Sequence, residues 1–117
     1  MVKKYKKVIL IDLDGVLNKY VGNFDKNFIP EPAFGVEKFL SNLNTLYTIK
    51  IFTTRDKKLT QEWLKAYKLD GYIKSITNKK IPCFLHIDDR AICHKGDFNS
   101  TMEEIKKFEV YWKSSKI

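Results

Sequence analysis

The chain has 117 residues, of which 44% are hydrophobic and 31% charged, which predicts a single globular domain over residues 1–117. Lysine and arginine number 22 against 14 aspartate and glutamate residues, and the resulting charge of +8 favours anionic partners without specifying a fold or a reaction. Cys83 and Cys93 form no disulfide or metal spacing, and we find no signal peptide and no apolar run of membrane length, so the sequence predicts a cytoplasmic protein without a membrane partner.

The first predicted strand, residues 8–12, is an apolar run that ends in Asp12. It shows no polar alternation, which is typical of a strand buried on both faces of a parallel sheet. Asp12 would stand at the carboxyl end of this strand, where open α/β sheets bind ligands, and Asp14 and Gly15 follow at a sharp turn. Two carboxylates that leave a buried strand together are costly unless they share a cation or a proton, so they indicate chemistry.

A long irregular stretch follows over residues 19–32, with glycine, asparagine and proline along its length. A connection of this length in a compact domain is typical of a lid or a binding element. Its aromatic residues, Tyr20, Phe24 and Phe28, would also suit a short hairpin that packs on the sheet. The two roles are compatible, and the sequence leaves both open.

Helices and strands alternate through the rest of the chain. Apolar residues recur at helical spacing over residues 33–44, and a second helix begins between Asp56 and Thr60, both of which suit an N-cap. The predicted strands cover residues 8–12, 47–53, 72–76 and 83–87. This alternation predicts an α/β fold, with a mostly parallel sheet and helices on both faces.

The last predicted helix follows the capping-box signature formed by Ser100 and Glu103. Four apolar residues would share one face of this helix, namely Met102, Ile105, Phe108 and Trp112. We expect Trp112 and Trp63 to lie in the core.

Polar residues follow predicted strands in four places, as the pairs Asp12/Asp14, Thr53/Thr54, Lys79/Lys80 and Asp88/Asp89. Each pair alone has an ordinary explanation: an aspartate–glycine turn, the β-propensity of threonine, a solvated loop or a surface ion pair. Because all four pairs coincide with strand ends, they indicate a shared site.

In this order the four pairs resemble the motifs of the haloacid dehalogenase (HAD) superfamily of phosphohydrolases. The first motif of that superfamily has the form Asp-x-Asp-Gly-x-hydrophobic, and residues 12–17 are similar to it. Its second motif is a strand that ends in Thr or Ser, which Thr53 matches. Its third is a lysine, matched by Lys79 or Lys80, and its fourth is an acid pair after an apolar strand, matched by Asp88-Asp89. The resemblance spans almost the whole chain and implies a Rossmann-like three-layer sandwich that hydrolyses phosphate esters.

The resemblance also implies the catalytic roles. Asp12 is the expected nucleophile, whose carboxylate attacks phosphorus and forms an aspartyl-phosphate. Asp14 is expected to protonate the leaving oxygen and then to activate water. The non-phosphatase branches of the superfamily lack this second acid, so its presence favours phosphate-ester hydrolysis.

The cofactor that the resemblance implies is Mg²⁺, a hard cation that binds carboxylate oxygens together with substrate phosphate. Its expected ligands are the carboxylates of Asp12 and Asp88 and the backbone carbonyl of Asp14. Asp89 is expected to assist through a bound water.

Phosphate binding is assigned by the same resemblance. Thr53 would hydrogen-bond the phosphoryl oxygens, and Thr54 would add a backbone N–H. A lysine would pair with the transferred phosphate and with Asp12. We favour Lys80, which precedes an Ile-Pro pair, and leave Lys79 open.

Two arginines near these motifs keep two interpretations each. Arg55 binds a substrate anion or orients Asp56, and Arg90 binds a substrate anion or orients Asp89. The sequence does not decide between these roles.

HAD proteins often carry a cap domain between two of the motifs. Here the gap after the first motif has room only for a loop or hairpin, and the gap after the second only for one helix and one strand. We therefore expect a capless phosphatase with an open site. The favoured substrate is a small phosphorylated metabolite such as a sugar phosphate or a nucleotide. The alternatives are the phosphate end of a nucleic acid, suggested by the open site and the charge of +8, and a non-catalytic phosphate-binding module.

Overall fold

The computed structural model, which describes residues 5–114, contains a sheet of four parallel strands. They are β1 (Val8–Asp12), β2 (Thr48–Phe52), β3 (Ser75–Thr77) and β4 (Leu85–Ile87), and they lie in the order β3-β2-β1-β4. β1 is an inner strand, and Ile9, Leu10 and Ile11 are at most 2% exposed because both faces of the strand are covered. The expected α/β, Rossmann-like fold is confirmed.

The described part of the chain also contains four helices. They are α1 (Val36–Asn44), α2 (Lys57–Ala66), α3 (Phe98–Lys107) and α4 (Tyr111–Ser114). The carboxylate of Asp56 accepts a hydrogen bond from the Leu59 amide at 2.9 Å, so Asp56 is the N-cap of α2. Within residues 5–114 the longest helices have 10 residues, which is too short to cross a bilayer.

An irregular turn, Leu13–Leu17, follows β1 and carries the second acid of the first motif. Gly15 has φ of +84°, a conformation that a side chain would strain. The Asn18 side chain holds the turn, since its Oδ1 accepts hydrogen bonds from the amides of Gly15 and Tyr20 at 3.1 and 3.0 Å. The turn therefore has one conformation, fixed by a buried asparagine.

Residues 19–32 leave this turn and return to it as a hairpin. The Lys19 amide donates to the Glu31 carbonyl at 2.9 Å, and Trp63 of α2 donates from Nε1 to the Pro30 carbonyl at 3.0 Å. Ile29 is buried in the core. The hairpin that the sequence left open is therefore present, and its base is anchored to the body of the domain.

Trp63 and Trp112 are both buried, as expected, but the expected start and extent of the last helix were wrong. Asp97, not Ser100, caps α3, and its carboxylate accepts hydrogen bonds from the Asn99 and Ser100 amides. The helix ends at Lys107, and no residue of α3 is buried. Because α3 ends at Lys107, Met102 and Ile105 lie on α3 and stay exposed, whereas Trp112 lies on α4 and is buried.

Candidate active site

Three carboxylates meet at the carboxyl edge of the sheet. Asp12 ends β1, and Asp88 and Asp89 directly follow β4, the strand that pairs with β1 in parallel. One oxygen of each residue lies within 4.8 Å of the others, and all three residues are half-buried. The topology explains the cluster, because parallel neighbouring strands deliver their carboxyl ends to the same edge.

The charge of this cluster is reflected in the pKa of Asp12, which is raised from 3.8 to about 7. Burial is the largest cause, followed by the neighbouring carboxylates of Asp88, Asp89 and Asp14. Such a group is unfavourable as an anion without a cation close by. The donor set consists only of hard oxygens, which fits a hard divalent ion such as Mg²⁺ better than a soft metal.

The raised pKa predicts how the metal-free protein responds to pH. Because the pKa of Asp12 is about 7 in the folded chain and near 3.8 in an unfolded one, the folded state binds more protons between these values. The free energy of unfolding should therefore fall as pH rises from about 4 through 7, and Asp12→Asn should remove this part of the decline. Urea unfolding with chelator at pH 5 and pH 8 measures it, and an identical pH response in both proteins would contradict the assignment.

The Asp14 carboxylate accepts hydrogen bonds from Arg55 and Asn18 and is not part of the cluster of three acids. Arg55 Nε lies 3.1 and 2.9 Å from its two carboxylate oxygens, and Asn18 Nδ2 donates to one of them at 2.9 Å. The Arg55 side chain is 1% exposed and also donates from Nη1 to the Asp25 carbonyl in the hairpin at 2.8 Å. Arg55 therefore orients Asp14, not Asp56, and ties it to the hairpin.

The two threonines after β2 have different surroundings. Thr53 is 5% exposed, and its Oγ1 accepts a hydrogen bond from the Arg55 amide at 3.1 Å, which leaves its own O–H able to donate. Thr54 is exposed and lines the same cleft as Asp12. Both positions suit contact with an anion at the sheet edge.

The lysines of the third motif lie in the loop after β3. Both lysines are exposed, and Lys79, but not Lys80, lines a cleft together with Thr53 and Thr54. The choice of Lys80 over Lys79 stays a prediction.

The carboxyl-terminal helix contributes residues that the sequence analysis placed in the core or did not single out. Trp112 Nε1 donates to Asp89 Oδ2 at 2.7 Å, and the Tyr111 hydroxyl donates to the Gly15 carbonyl at 2.7 Å. A Cβ on Gly15 would stand 2.2 Å from Asp89 Oδ2, so the turn, the acid pair and α4 fit together closely. A helical pattern cannot reveal such contacts, because they depend on where the last segment folds back.

These groups surround an open cleft of about 430 Å³. It is lined by Asp12, Asp14, Tyr20, Phe24, Thr54, Asp88, Asp89 and Arg90. The Arg90 amide donates to Asp88 Oδ1 at 3.0 Å, and the Arg90 guanidinium lies over the Trp112 ring, 5.6 Å from its centre. The structure thus brings most of the predicted site residues to one cleft and adds two aromatic side chains from the hairpin.

Comparisons with known proteins support the fold. No protein-family model matches the chain, and no curated protein matches it. Among solved structures, the chain is similar to that of a conserved protein from Bacteroides thetaiotaomicron, with a TM-score of 0.58 and 19% identity over 96% of this chain and 99% of the other. At this identity the similarity shows a shared fold.

Proposed function

We propose that the protein is a Mg²⁺-dependent phosphatase of the HAD type that hydrolyses a small phosphorylated metabolite through an aspartyl-phosphate. The observation that carries the proposal is the convergence of Asp12, Asp88 and Asp89 within 4.8 Å at the sheet edge. The resemblance of the four motifs supports the same reaction. A second acid, Asp14, lines the same cleft as the nucleophile, as an acid–base group requires.

The metal would be held by the carboxylates of Asp12 and Asp88 and by the backbone carbonyl of Asp14. The Asp89 carboxylate, which lies within 4.8 Å of the Asp12 and Asp88 oxygens, would assist directly or through a bound water. When bound, Mg²⁺ supplies positive charge for the phosphoryl oxygens. The acids fit this role because the burial and mutual repulsion that raise the pKa of Asp12 would be relieved by a cation.

We assign the remaining catalytic roles to side chains of the protein itself. An Asp12 oxygen attacks phosphorus, the bond to the leaving oxygen breaks, and Asp14 gives that oxygen a proton. Asp14 then takes a proton from the water that hydrolyses the aspartyl-phosphate, and Asp12 is regenerated. Arg55 and Asn18 hold the Asp14 carboxyl in the cleft through the contacts described above.

The phosphoryl oxygens would be bound by the threonines that follow β2, of which Thr54 lines the cleft, and by the motif lysine. The Thr53 hydroxyl, which already accepts from the Arg55 amide, donates to one oxygen. The Thr54 amide and the motif lysine, for which we retain Lys80, bind the others. Preorganised donors of this kind stabilise charge as it develops in the transition state.

The direct test is hydrolysis of an aryl phosphate by the purified full chain. We expect activity with Mg²⁺, loss of activity with chelator, and recovery when Mg²⁺ is added in excess. Activity that is unaffected by chelator would overturn the metal assignment, and no turnover under any metal condition would overturn the phosphatase.

A further expectation concerns Trp112, whose indole holds the ligand Asp89. Trp112→Phe removes this donor while keeping most of the ring, so Asp89 loses its orientation. The loss of a group that orients a metal ligand typically weakens metal affinity about 10- to 100-fold. We expect a weakening of Mg²⁺ binding in that range, measured by calorimetry without substrate.

Trp63→Phe is the matched control. Its indole donates to the Pro30 carbonyl at 3.0 Å, so this variant also loses one indole hydrogen bond, but on α2. Mg²⁺ affinity should match that of the unmodified protein. Equal Mg²⁺ affinities in the unmodified protein, Trp112→Phe and Trp63→Phe would show that Trp112 does not orient the metal ligand.

A further inference from the structure

We infer that the substrate is a nucleotide, and that the nucleobase of the leaving group stacks on Phe24 beside the acidic cleft. This inference rests on the proposed function, because it takes Asp12 as the point of phosphoryl transfer. It concerns the part of the substrate that is not transferred.

Phe24 stands between two adjoining clefts. The acidic cleft of about 430 Å³ contains Asp12, and a neighbouring cleft of about 660 Å³ extends along the start of α2. Phe24 and Thr54 line both of them. A leaving group that extends from a phosphoryl at Asp12 into the larger cleft therefore passes along the Phe24 ring.

The Phe24 ring is exposed and yet fixed in place. It is 56% exposed, although the Arg55 guanidinium lies over one face, 4.5 Å from the ring centre. Arg55 is itself buried and bonded to Asp14 and to the Asp25 carbonyl, so the ring is held by the group that orients the proposed acid. An aromatic ring held in this way can stack a nucleobase without first being ordered.

The lining of the larger cleft favours a base over an alkyl chain. Besides Phe24, its one apolar lining residue is Leu59, and the others are polar: Lys26, Asn27, Thr54, Arg55, Asp56, Lys58 and Glu62. A base presents a flat apolar face to the Phe24 ring and an edge of donors and acceptors to these polar groups, whereas an alkyl leaving group offers neither. A simple sugar phosphate has no planar group to place on the ring.

The experiment compares kcat/KM for a nucleoside 5′-monophosphate, a nucleoside 3′-monophosphate and ribose 5-phosphate, with Mg²⁺ and the full chain. Removal of an aromatic stacking partner typically costs about 5- to 150-fold per base. We expect at least one nucleotide to exceed ribose 5-phosphate about tenfold or more. Phe24→Leu should lower kcat/KM for the nucleotide much more than kcat/KM for ribose 5-phosphate, so that the ratio of the two values falls toward one.

Phe28→Leu is the matched control, because Phe28 lies on the same hairpin, is 62% exposed and lines neither cleft. It should behave as the unmodified protein, and Phe24→Tyr, which keeps the ring, should keep the preference for nucleotides. Equal kcat/KM for nucleotides and ribose 5-phosphate, or an equal loss for both in Phe24→Leu, would overturn the inference.

Binding without turnover separates this inference from the proposed function. Calorimetry with a nucleoside monophosphate and Mg²⁺ on Asp12→Asn should show weaker binding when Phe24→Leu is added. Turnover of none of the substrates would overturn the phosphatase, whereas binding that does not depend on Phe24 would overturn the base site.

A 5′-phosphorylated oligonucleotide distinguishes the two sources of such a substrate. A kcat/KM above that of the mononucleotide, with a steep decrease as salt is raised, assigns the end of a nucleic-acid strand. An equal or lower value with weak salt dependence assigns a free nucleotide.

Discussion

Asp12→Asn is expected to abolish phosphate-ester hydrolysis, with a loss in kcat on the order of 10⁶, the size seen when an enzyme loses its nucleophile. The amide cannot attack phosphorus as the carboxylate does, and it is a weaker ligand for a hard cation. Both effects follow from the position of Asp12 at the end of the central strand, within reach of Asp88 and Asp89. Initial rates with an aryl phosphate and calorimetric Mg²⁺ titration measure the two losses separately.

Asp70→Asn is a suitable control for Asp12→Asn. Asp70 is exposed and follows α2, and the substitution removes the same charge from the chain. Its rate and its Mg²⁺ affinity should stay unchanged. Turnover by Asp12→Asn at more than a small fraction of the normal rate would exclude Asp12 as the nucleophile.

Asp14→Asn is expected to slow turnover about 10²- to 10⁴-fold, the usual cost of losing a general acid–base group. The nucleophile remains, and the amide oxygen can still accept a hydrogen bond from Arg55. With a leaving group that needs little protonation, the aspartyl-phosphate should form and then hydrolyse slowly, because no group activates the water. Rapid-quench measurement should therefore find phosphoenzyme in this variant and none in Asp12→Asn.

The dependence on leaving group checks the role of Asp14. The loss in kcat/KM of Asp14→Asn, which reports the phosphorylation step, should be smaller for an aryl phosphate than for an alkyl phosphate, since the alkyl oxygen needs the proton more. An equal deficit for both substrates would indicate that Asp14 acts only in orienting the site.

The central strand and its acids could be predicted because their signals are local. An uninterrupted apolar run identifies a buried parallel strand, and strands of such a sheet end at one edge. That Asp12 and Asp88 lie at the same edge follows from these two statements, although the two residues are 76 positions apart in the chain. That they lie next to each other follows from the pairing of β4 with β1. The N-cap of α2 was narrowed to Asp56 or Thr60 for the same reason, since a cap is read from adjacent residues, and the structure shows that it is Asp56.

The contacts that complete the site depend on tertiary geometry, which no short pattern contains. Arg55 could have paired with Asp56 beside it, but the turn after β1 brings Asp14 to its guanidinium instead. Trp112 continues the helical spacing of apolar residues, but α3 ends at Lys107, and in α4 the Trp112 indole donates to Asp89. In both cases the fold supplies a hydrogen-bond partner that is distant in sequence.

The most direct test of the phosphatase is the identity of the phosphorylated residue. Asp14→Asn would be incubated with an aryl phosphate and Mg²⁺, quenched in acid and mapped by mass spectrometry. We expect one phosphoryl group, on Asp12, that is absent with chelator and absent when Asp12→Asn is added. Phosphate on another residue, or a burst of product with no phosphate on the protein, would contradict the proposed mechanism.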